Sequence, residues 1–464
     1  MTQLQNTTLG MTHSACNLCG RLVPAKIESN GRDVFFRKYC VEHGESHNLV
    51  RHDVDDYVKS LRFVKPAWTP VESYGDRNAS CPDGCGMCSR HEQHLCMPII
   101  EVTSRCDLSC PVCLVDAGAG RDMSRDEFRA ILDQLIKSEL QIDVLNISGG
   151  EPLMHPGLLT LVDDALARPE IVRVSVSTNG LRFLESPGLM DELHSRNVII
   201  SLQFDGFDDR PYEILRGRKL LAEKLRILEI LSHLNASASM TVTLGGGVND
   251  DQLPQLMDYY FAHPNFVSMM IQPVSFAGRG AQLNGSVGRL TIPAVIALLD
   301  AGGRGRVRAA DFAPLPCSHP LCFSLAYYLM LDNGGSLALN RLMDASRIMD
   351  TLANRTVFGL DAEEHDRMKD LIYELWSGPS AMAPDNEAVI KTLRRVLNEL
   401  SNGRFDPRKA FAVSERQIKS IFIHAFQDRE TFDLARVRRC CNAYPQASGK
   451  IIPACVHNVM GRTV

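Results

Sequence analysis

Between residues 97 and 300 the apolar positions alternate between short unbroken runs and helical stripes. The first run, MPIIEVT from Met97, reads as a strand that stops at a polar loop over 103–113. Ser124-Arg-Asp-Glu127 has the pattern of a capping box, which opens a helix. Phe128, Ile131, Leu132, Leu135 and Ile136 then recur on one face of that helix. The strands VLNIS, VRVSVS, NVIISLQF, ASMTVTL and SMMIQPV follow. Between them lie the helical segments LLTLVDDALA, 189–195, RKLLAEKLRILEIL and DQLPQLMDYYF, and PAVIALLD closes the series. Six strands alternating with helices predict an α/β fold of parallel βαβ units, wrapped by right-handed crossovers into a sheet or partial barrel. Functional groups then belong at the C-terminal strand ends.

Outside that series the pattern changes. Near the N-terminus, Cys16-Asn-Leu-Cys19 and Cys40-Val-Glu-His43 flank RLVPAKIESNGRDVFFRKY, which reads as two short strands joined at Asn30-Gly31. Two knuckles on a hairpin suit one tetrahedral ion, most simply zinc, with iron as the other choice. Cys16, Cys19, Cys40 and His43 would hold it structurally, leaving no open position. After Arg304, Pro314, Pro316 and Pro320 surround Cys317 and Cys322. A charge-rich helical stretch follows over roughly 345–400, and a last segment holds Cys440, Cys441 and Cys455. The expected division is a zinc-ribbon-like metal module at 1–60, an auxiliary-cluster segment at 61–97, a barrel at 98–303 and a C-terminal domain at 304–464.

The chain has 464 residues, 45% hydrophobic and 23% charged, an ordinary globular composition that excludes disordered and collagen-like classes. A net charge of -5 with no dominant basic patch argues against a nucleic-acid partner. MTQLQNTTLG has neither the basic start nor the apolar run of a signal peptide. No run is long enough to span a bilayer, so a cytoplasmic location is expected. In that compartment fifteen cysteines point to metal ligands, not to disulfides.

Cys106-Asp-Leu-Ser-Cys110-Pro-Val-Cys113 follows the first strand of the series. Three thiolates on one loop can hold three irons of a [4Fe–4S] cluster and leave the fourth open. Upstream, Cys81-Pro-Asp-Gly-Cys85-Gly-Met-Cys88 repeats the spacing, and Cys96 supplies a fourth thiol that would close a second cluster. Cys317, Cys322, Cys440 and Cys455 suggest a third cluster, with Cys441 as a bystander because adjacent residues of an extended chain face opposite ways. Simpler readings are a second structural zinc for the upstream set and scattered buried thiols for the C-terminal one.

The cysteine loop, Ser148-Gly149-Gly150-Glu151-Pro152 after the second strand and Ser177-Thr178-Asn179-Gly180 after the third strongly resemble the radical S-adenosylmethionine (SAM) superfamily. That resemblance implies a partial (β/α)6 radical SAM barrel. It assigns Cys106, Cys110 and Cys113 to the catalytic cluster. It places SAM against Gly149, Gly150, Glu151, Ser177, Thr178 and Asn179, with Gln203 and Asp205 ending the fourth strand. It also implies reductive cleavage of SAM to a 5′-deoxyadenosyl radical that attacks an unactivated carbon, and a low-potential electron donor such as ferredoxin or flavodoxin. Together with the N-terminal knuckles, the doubled cysteine motif, Gln272-Pro-Val-Ser-Phe-Ala-Gly278-Arg279 and a C-terminal Arg-Cys…Ile-Pro-x-Cys segment, the chain resembles one group in particular. That group contains archaeal tetraether lipid synthases and hydroxymethyl-dihydropterin dimethyltransferases. From these cysteine sets the chain is expected to hold three [4Fe–4S] clusters and one mononuclear ion, zinc or iron. The expected outcome is carbon–carbon bond formation on a lipid-type substrate. Methylation of a pterin or other small molecule is the alternative, and a non-enzymatic iron–sulfur electron carrier is the alternative of another class.

Overall fold

The computed structural model describes residues 6–461 apart from 64, 66–67, 75–80, 83, 87, 116–119, 343–369, 371–385 and 402–406. Most of the charge-rich stretch over 345–400 therefore lies outside the described residues; its end is the helix Asn386–Ser401.

Four antiparallel strands open the chain: β1 (Thr7–Ala15), β2 (Leu22–Ser29), β3 (Val34–Cys40) and β4 (Gly44–Arg51), in that spatial order. The central hairpin turns at the expected dipeptide. Asn30 Oδ1 accepts the N–H groups of Arg32 and Asp33. Gly31 has φ +91°, a left-handed conformation that glycine adopts without steric cost. The sequence pattern predicts only this hairpin. The outer strands escape it because β1 and β4 are rich in polar, exposed residues and carry little apolar signal. Lys38 ties the ribbon to the rest of the molecule. Its buried ammonium donates to the carbonyls of Ala15, Arg429 and Glu430 and to Asn17.

Six parallel strands then lie side by side in chain order: β5 (Ile99–Thr103), β6 (Ile142–Gly149), β7 (Ile171–Thr178), β8 (Ile199–Gln203), β9 (Ala238–Leu244) and β10 (Phe266–Pro273). Strand β7 is buried along nearly its whole length, as a parallel strand covered on both faces must be. The helix Arg125–Glu139 begins with the predicted capping box of Ser124 and Glu127 and buries Phe128, Ile131, Leu132 and Leu135.

The sheet continues beyond six strands. Past β11 (Ala313–Pro314), β12 (Phe323–Met330) and β13 (Ser336–Ala338) comes β14 (Ile418–His424). Strand β14 pairs parallel with β10, and β12 pairs antiparallel with β14, which gives a ten-stranded sheet. The helix Pro407–Gln417, just before β14, lies across the N-terminal strand ends. Phe411 packs on Val172 and Ile199. Arg408 donates to the carbonyls of Leu166, Arg168 and Ile171. A last hairpin of β15 (Ala443–Pro445) and β16 (Ile451–Pro453) places Tyr444 and Ala454 against Ile99.

Candidate functional site

The loop carrying Cys106, Cys110 and Cys113 takes its shape from the end of β6. The N–H of Gly150 donates to the carbonyl of Thr103 and that of Glu151 to the carbonyl of Arg105, both at 2.7 Å. A Cβ on Gly149 would lie 2.3 Å from the Thr103 carbonyl oxygen, and one on Gly150 2.3 Å from that of Arg105. The sequence assigns these glycines to close approach by a cofactor. In the fold they are what lets the cysteine loop pack onto the next strand.

Glu151 is fully buried and accepts from Thr178 Oγ1 (2.7 Å), Asn179 N (2.8 Å) and Leu153 N (3.0 Å). Burial pushes its carboxyl up to about 7, against those hydrogen bonds, which favour the anion. Asn179 Nδ2 in turn donates to Asp107 on the cysteine loop at 2.6 Å. The ends of β6 and β7 and the loop after β5 thus form one hydrogen-bonded unit. Ser177 Oγ donates to Asn146 at 3.0 Å.

At the end of β8, Asp205 is paired with Arg216 at 2.7 and 3.0 Å and accepts from Thr243 N. The Arg216 guanidinium lies beside Cys110. Burial raises the Cys110 thiol, while this guanidinium lowers it. Arg279 lies beside Cys113 in the same way. Three thiols on one loop with two guanidinium groups beside them are a donor set that fits an iron–sulfur cluster, whose ligands carry negative charge.

Gln203 Oε1 accepts from Lys224, whose fully buried ammonium also donates to the carbonyls of Gln203 and Asn179. Burial pulls that amine down to about 7. Neither Arg216 nor Lys224 belongs to a motif. Lys224 still left a signal, because it shares a helical face with Ile227, Leu228 and Leu231, all buried.

Of the other cysteines the N-terminal set assembles as expected, while the C-terminal ones sort differently from the expected sets. The ligand atoms of Cys16, Cys19, Cys40 and His43 lie within 4.8 Å of one another, and the His43 ring pulls the Cys40 thiol down to about 6. In the upstream set, Cys81 hydrogen-bonds Cys85. Cys96 was expected to complete that set. It lies instead with Cys317 and Cys441, all three thiols within 4.8 Å. The cause is backbone pairing between distant segments. Glu92 N donates to Arg438 O, Cys96 N to Cys441 O, and the His91 ring bonds Cys440 O. Cys441, expected to be a bystander, is thus the member of the pair that joins Cys317. Cys440 is half-buried, its Sγ donates to Asn442 O at 2.9 Å, and Cys455 and Cys322 lie near it. Cys322 accepts from Arg436 Nε at 3.3 Å, and Cys455 Sγ accepts from Gln427 N.

A cavity of about 440 Å³ connects these groups. Its mouth holds Cys106, Cys110, Cys113 and Arg279, and its inner wall carries Ser175, Ser201, Ser239, Thr241, Ser268 and Ser420. Phe411 and Glu415 form its floor, where Glu415 pairs with the buried Arg173 at 2.7 Å. One side is aromatic. Phe323 stacks on His424 with ring centroids 3.7 Å apart, and His424 lies 4.0 Å from Phe426. Burial, reinforced by Arg436, pulls the His424 imidazole down to about 3, so it is neutral. Cys96, Cys441, Asn442 and Tyr444 complete that side. Asn442 Nδ2 is buried there with no hydrogen-bond partner among the described residues.

Residues 100–260 match the family model described as the radical SAM superfamily, and residues 8–52 match an HMPTM N-terminal zinc ribbon domain. The chain is 27% identical over 478 residues to a 7,8-dihydro-6-hydroxymethylpterin dimethyltransferase of Methanocaldococcus jannaschii, covering 97% of this chain and 94% of that one. It is 30% identical over 189 residues to a mycofactocin maturase of Mycolicibacterium smegmatis, covering 39% of this chain and 45% of that one. Among solved structures, Streptococcus suis SuiB bound to its precursor peptide SuiA aligns over 40% of each chain at 16% identity, with a TM-score of 0.35. Among the described residues no helix is long and apolar enough to cross a membrane.

Proposed function

We propose that this chain, a radical SAM superfamily enzyme with an N-terminal zinc ribbon, methylates an unactivated carbon of a small, flat heterocycle of the pterin type. The observation that carries this reading is the end-to-end likeness to a pterin dimethyltransferase, which spans ribbon, barrel and C-terminal region alike. The cavity supports it. Its floor is closed by the helix Pro407–Gln417, its inner wall bears hydroxyl groups, and its volume suits a compact ligand beside SAM. Phe323, His424, Phe426 and Tyr444 offer flat faces on which a planar ring stacks. The unpaired amide of Asn442 offers a donor to a ring carbonyl or nitrogen. The likeness to a pterin dimethyltransferase supports methylation better than the lipid coupling expected from sequence.

The cluster on Cys106, Cys110 and Cys113, when bound, supplies the electron that cleaves SAM. The chain's own residues set the stage for that step. Asp205 holds Arg216 on Cys110, Arg279 sits on Cys113, and Glu151 and Asn179 fix the strand ends that face the SAM side of the cavity. A reductant is required from outside the chain.

Substrate coupling tests the reading. With reconstituted protein, SAM and a low-potential reductant, 7,8-dihydro-6-hydroxymethylpterin should raise the rate of 5′-deoxyadenosine formation about tenfold, equivalent to ~1.4 kcal/mol of barrier. A saturated lipid in detergent should not. Stimulation by the lipid and not by the pterin would refute the proposal.

A further inference from the structure

Cys96, Cys317 and Cys441 come from three separate segments yet place their thiols within 4.8 Å of one another, all buried. The protein framework sets this spacing. Cys96 N donates to Cys441 O at 3.1 Å, and Cys96 Sγ approaches Cys317 O at 3.8 Å. Three thiols so arranged are three ligands of one centre and leave a fourth place to fill. For comparison, thiolates around one tetrahedral ion with metal–sulfur bonds of ~2.3 Å lie about 3.8 Å apart.

His94 stands beside them. Its Nε2 lies 3.6 Å from Cys96 Sγ, and its other nitrogen, Nδ1, lies 3.9 Å from Glu139 Oε2. The Glu139 side chain is fully buried at the C-terminal end of the helix Arg125–Glu139. It is held there by Ser138 Oγ at 2.7 Å and by the N–H of Leu95 at 2.8 Å. A fixed, buried carboxylate facing Nδ1 selects the tautomer with its proton on that nitrogen, which leaves the Nε2 lone pair on the side of Cys96 Sγ. Carboxylate, imidazole and metal in line is the usual way a histidine ligand is oriented.

We propose that His94 is the fourth ligand of a metal centre built on Cys96, Cys317 and Cys441, with Glu139 as its positioning residue. Three thiolates and a neutral imidazole select a thiophilic metal, taken up as one zinc-type ion or as an iron–sulfur cluster. The centre is separate from the Cys81, Cys85 and Cys88 set. Two of its ligands, Cys96 and Cys441, also line the substrate cavity, so it forms part of that wall. The rival fourth ligand is Cys322, whose sulfur accepts from Arg436 Nε at 3.3 Å, and the Cys322→Ala variant separates the two. The inference does not depend on which carbon the enzyme modifies, and its test needs no turnover.

Zinc and iron are counted per chain in anaerobically purified full-length protein and in His94→Ala, His94→Cys, Cys317→Ser and Cys322→Ala variants, with the thermal melt of each as a folding control. Cys317→Ser and His94→Ala should lose the same element in the same amount, one zinc or the iron of one cluster. His94→Cys, which restores a thiolate but not the volume of the imidazole, should retain it, and X-ray absorption at that element's edge should show one nitrogen replaced by sulfur. Loss of zinc or of iron tells the two kinds of centre apart. Full retention in His94→Ala, equal loss in His94→Cys and His94→Ala, loss in Cys322→Ala but not in His94→Ala, or no loss in Cys317→Ser would each overturn the assignment.

Discussion

A methyl group at position 150 would sit 2.3 Å from the carbonyl oxygen of Arg105, and that atom is backbone, which cannot swing aside. Gly150→Ala must therefore push the cysteine loop off the end of β6, a distortion on the order of 1–3 kcal/mol. The expected outcome is at least a tenfold fall in 5′-deoxyadenosine formation, with the ribbon's metal content unchanged. Wild-type rates would contradict the packing role given to this glycine. Lys224 makes a different case. Lys224→Met keeps the length of the side chain but leaves the carbonyls of Asn179 and Gln203 without their buried donor. A cost of about 1–3 kcal/mol is expected in denaturant unfolding, with weaker SAM binding by calorimetry. The motif residues were legible because each is a chemical group at a strand end. Their internal wiring was not. That Glu151 faces Thr178 and Asn179, and that Asp205 acts through Arg216, depends on loops meeting in space.

The helix Pro407–Gln417 carries the one element-level feature that the substrate argument needs, the closed floor of the cavity. Arg173 and Glu415 meet there with both side chains more than nine-tenths buried, and Ser237 Oγ adds a bond to Glu415 at 2.9 Å. Removing one partner of a buried pair strands the other charge, at a cost of about 3–5 kcal/mol. Glu415→Ala should therefore lower the urea midpoint clearly, whereas a double variant with Arg173→Met should recover much of the loss. No loss in the single variant would mean the floor is not fixed by this pair. The period-2 and period-3.6 patterns disclosed β5 to β10 and their helices, since those elements alternate locally along the chain. Strands β12 and β14 were missed. They join the sheet across long sequence separations, and prolines and charged residues surround them, so no local alternation marks them. The same nonlocality explains the cysteines. Spacing identified the cysteine segments, but the backbone pairing of 92–96 with 438–441 decides that Cys96 meets Cys441 and not Cys88.

At the scale of the whole molecule, barrel and C-terminal region meet around one cavity, and the ribbon docks on the C-terminal region through Lys38. The C-terminal region supplies four strands of the sheet, the floor of the cavity and most of its aromatic wall. On the proposed function such a chain presents the Cys106–Cys113 loop to a compact, flat ligand stacked near His424, with the Cys96, Cys317 and Cys441 group beside it. On the proposed function the reaction adds carbon to the substrate, and the mass of the product reads it directly. Anaerobic incubation of the reconstituted enzyme with SAM, reductant and 7,8-dihydro-6-hydroxymethylpterin, followed by mass spectrometry of the pterin, should show the gain of one or more methyl groups in place of hydrogen. A pterin recovered at its original mass while SAM is consumed, or a product joining two substrate molecules with no added carbon, would contradict it.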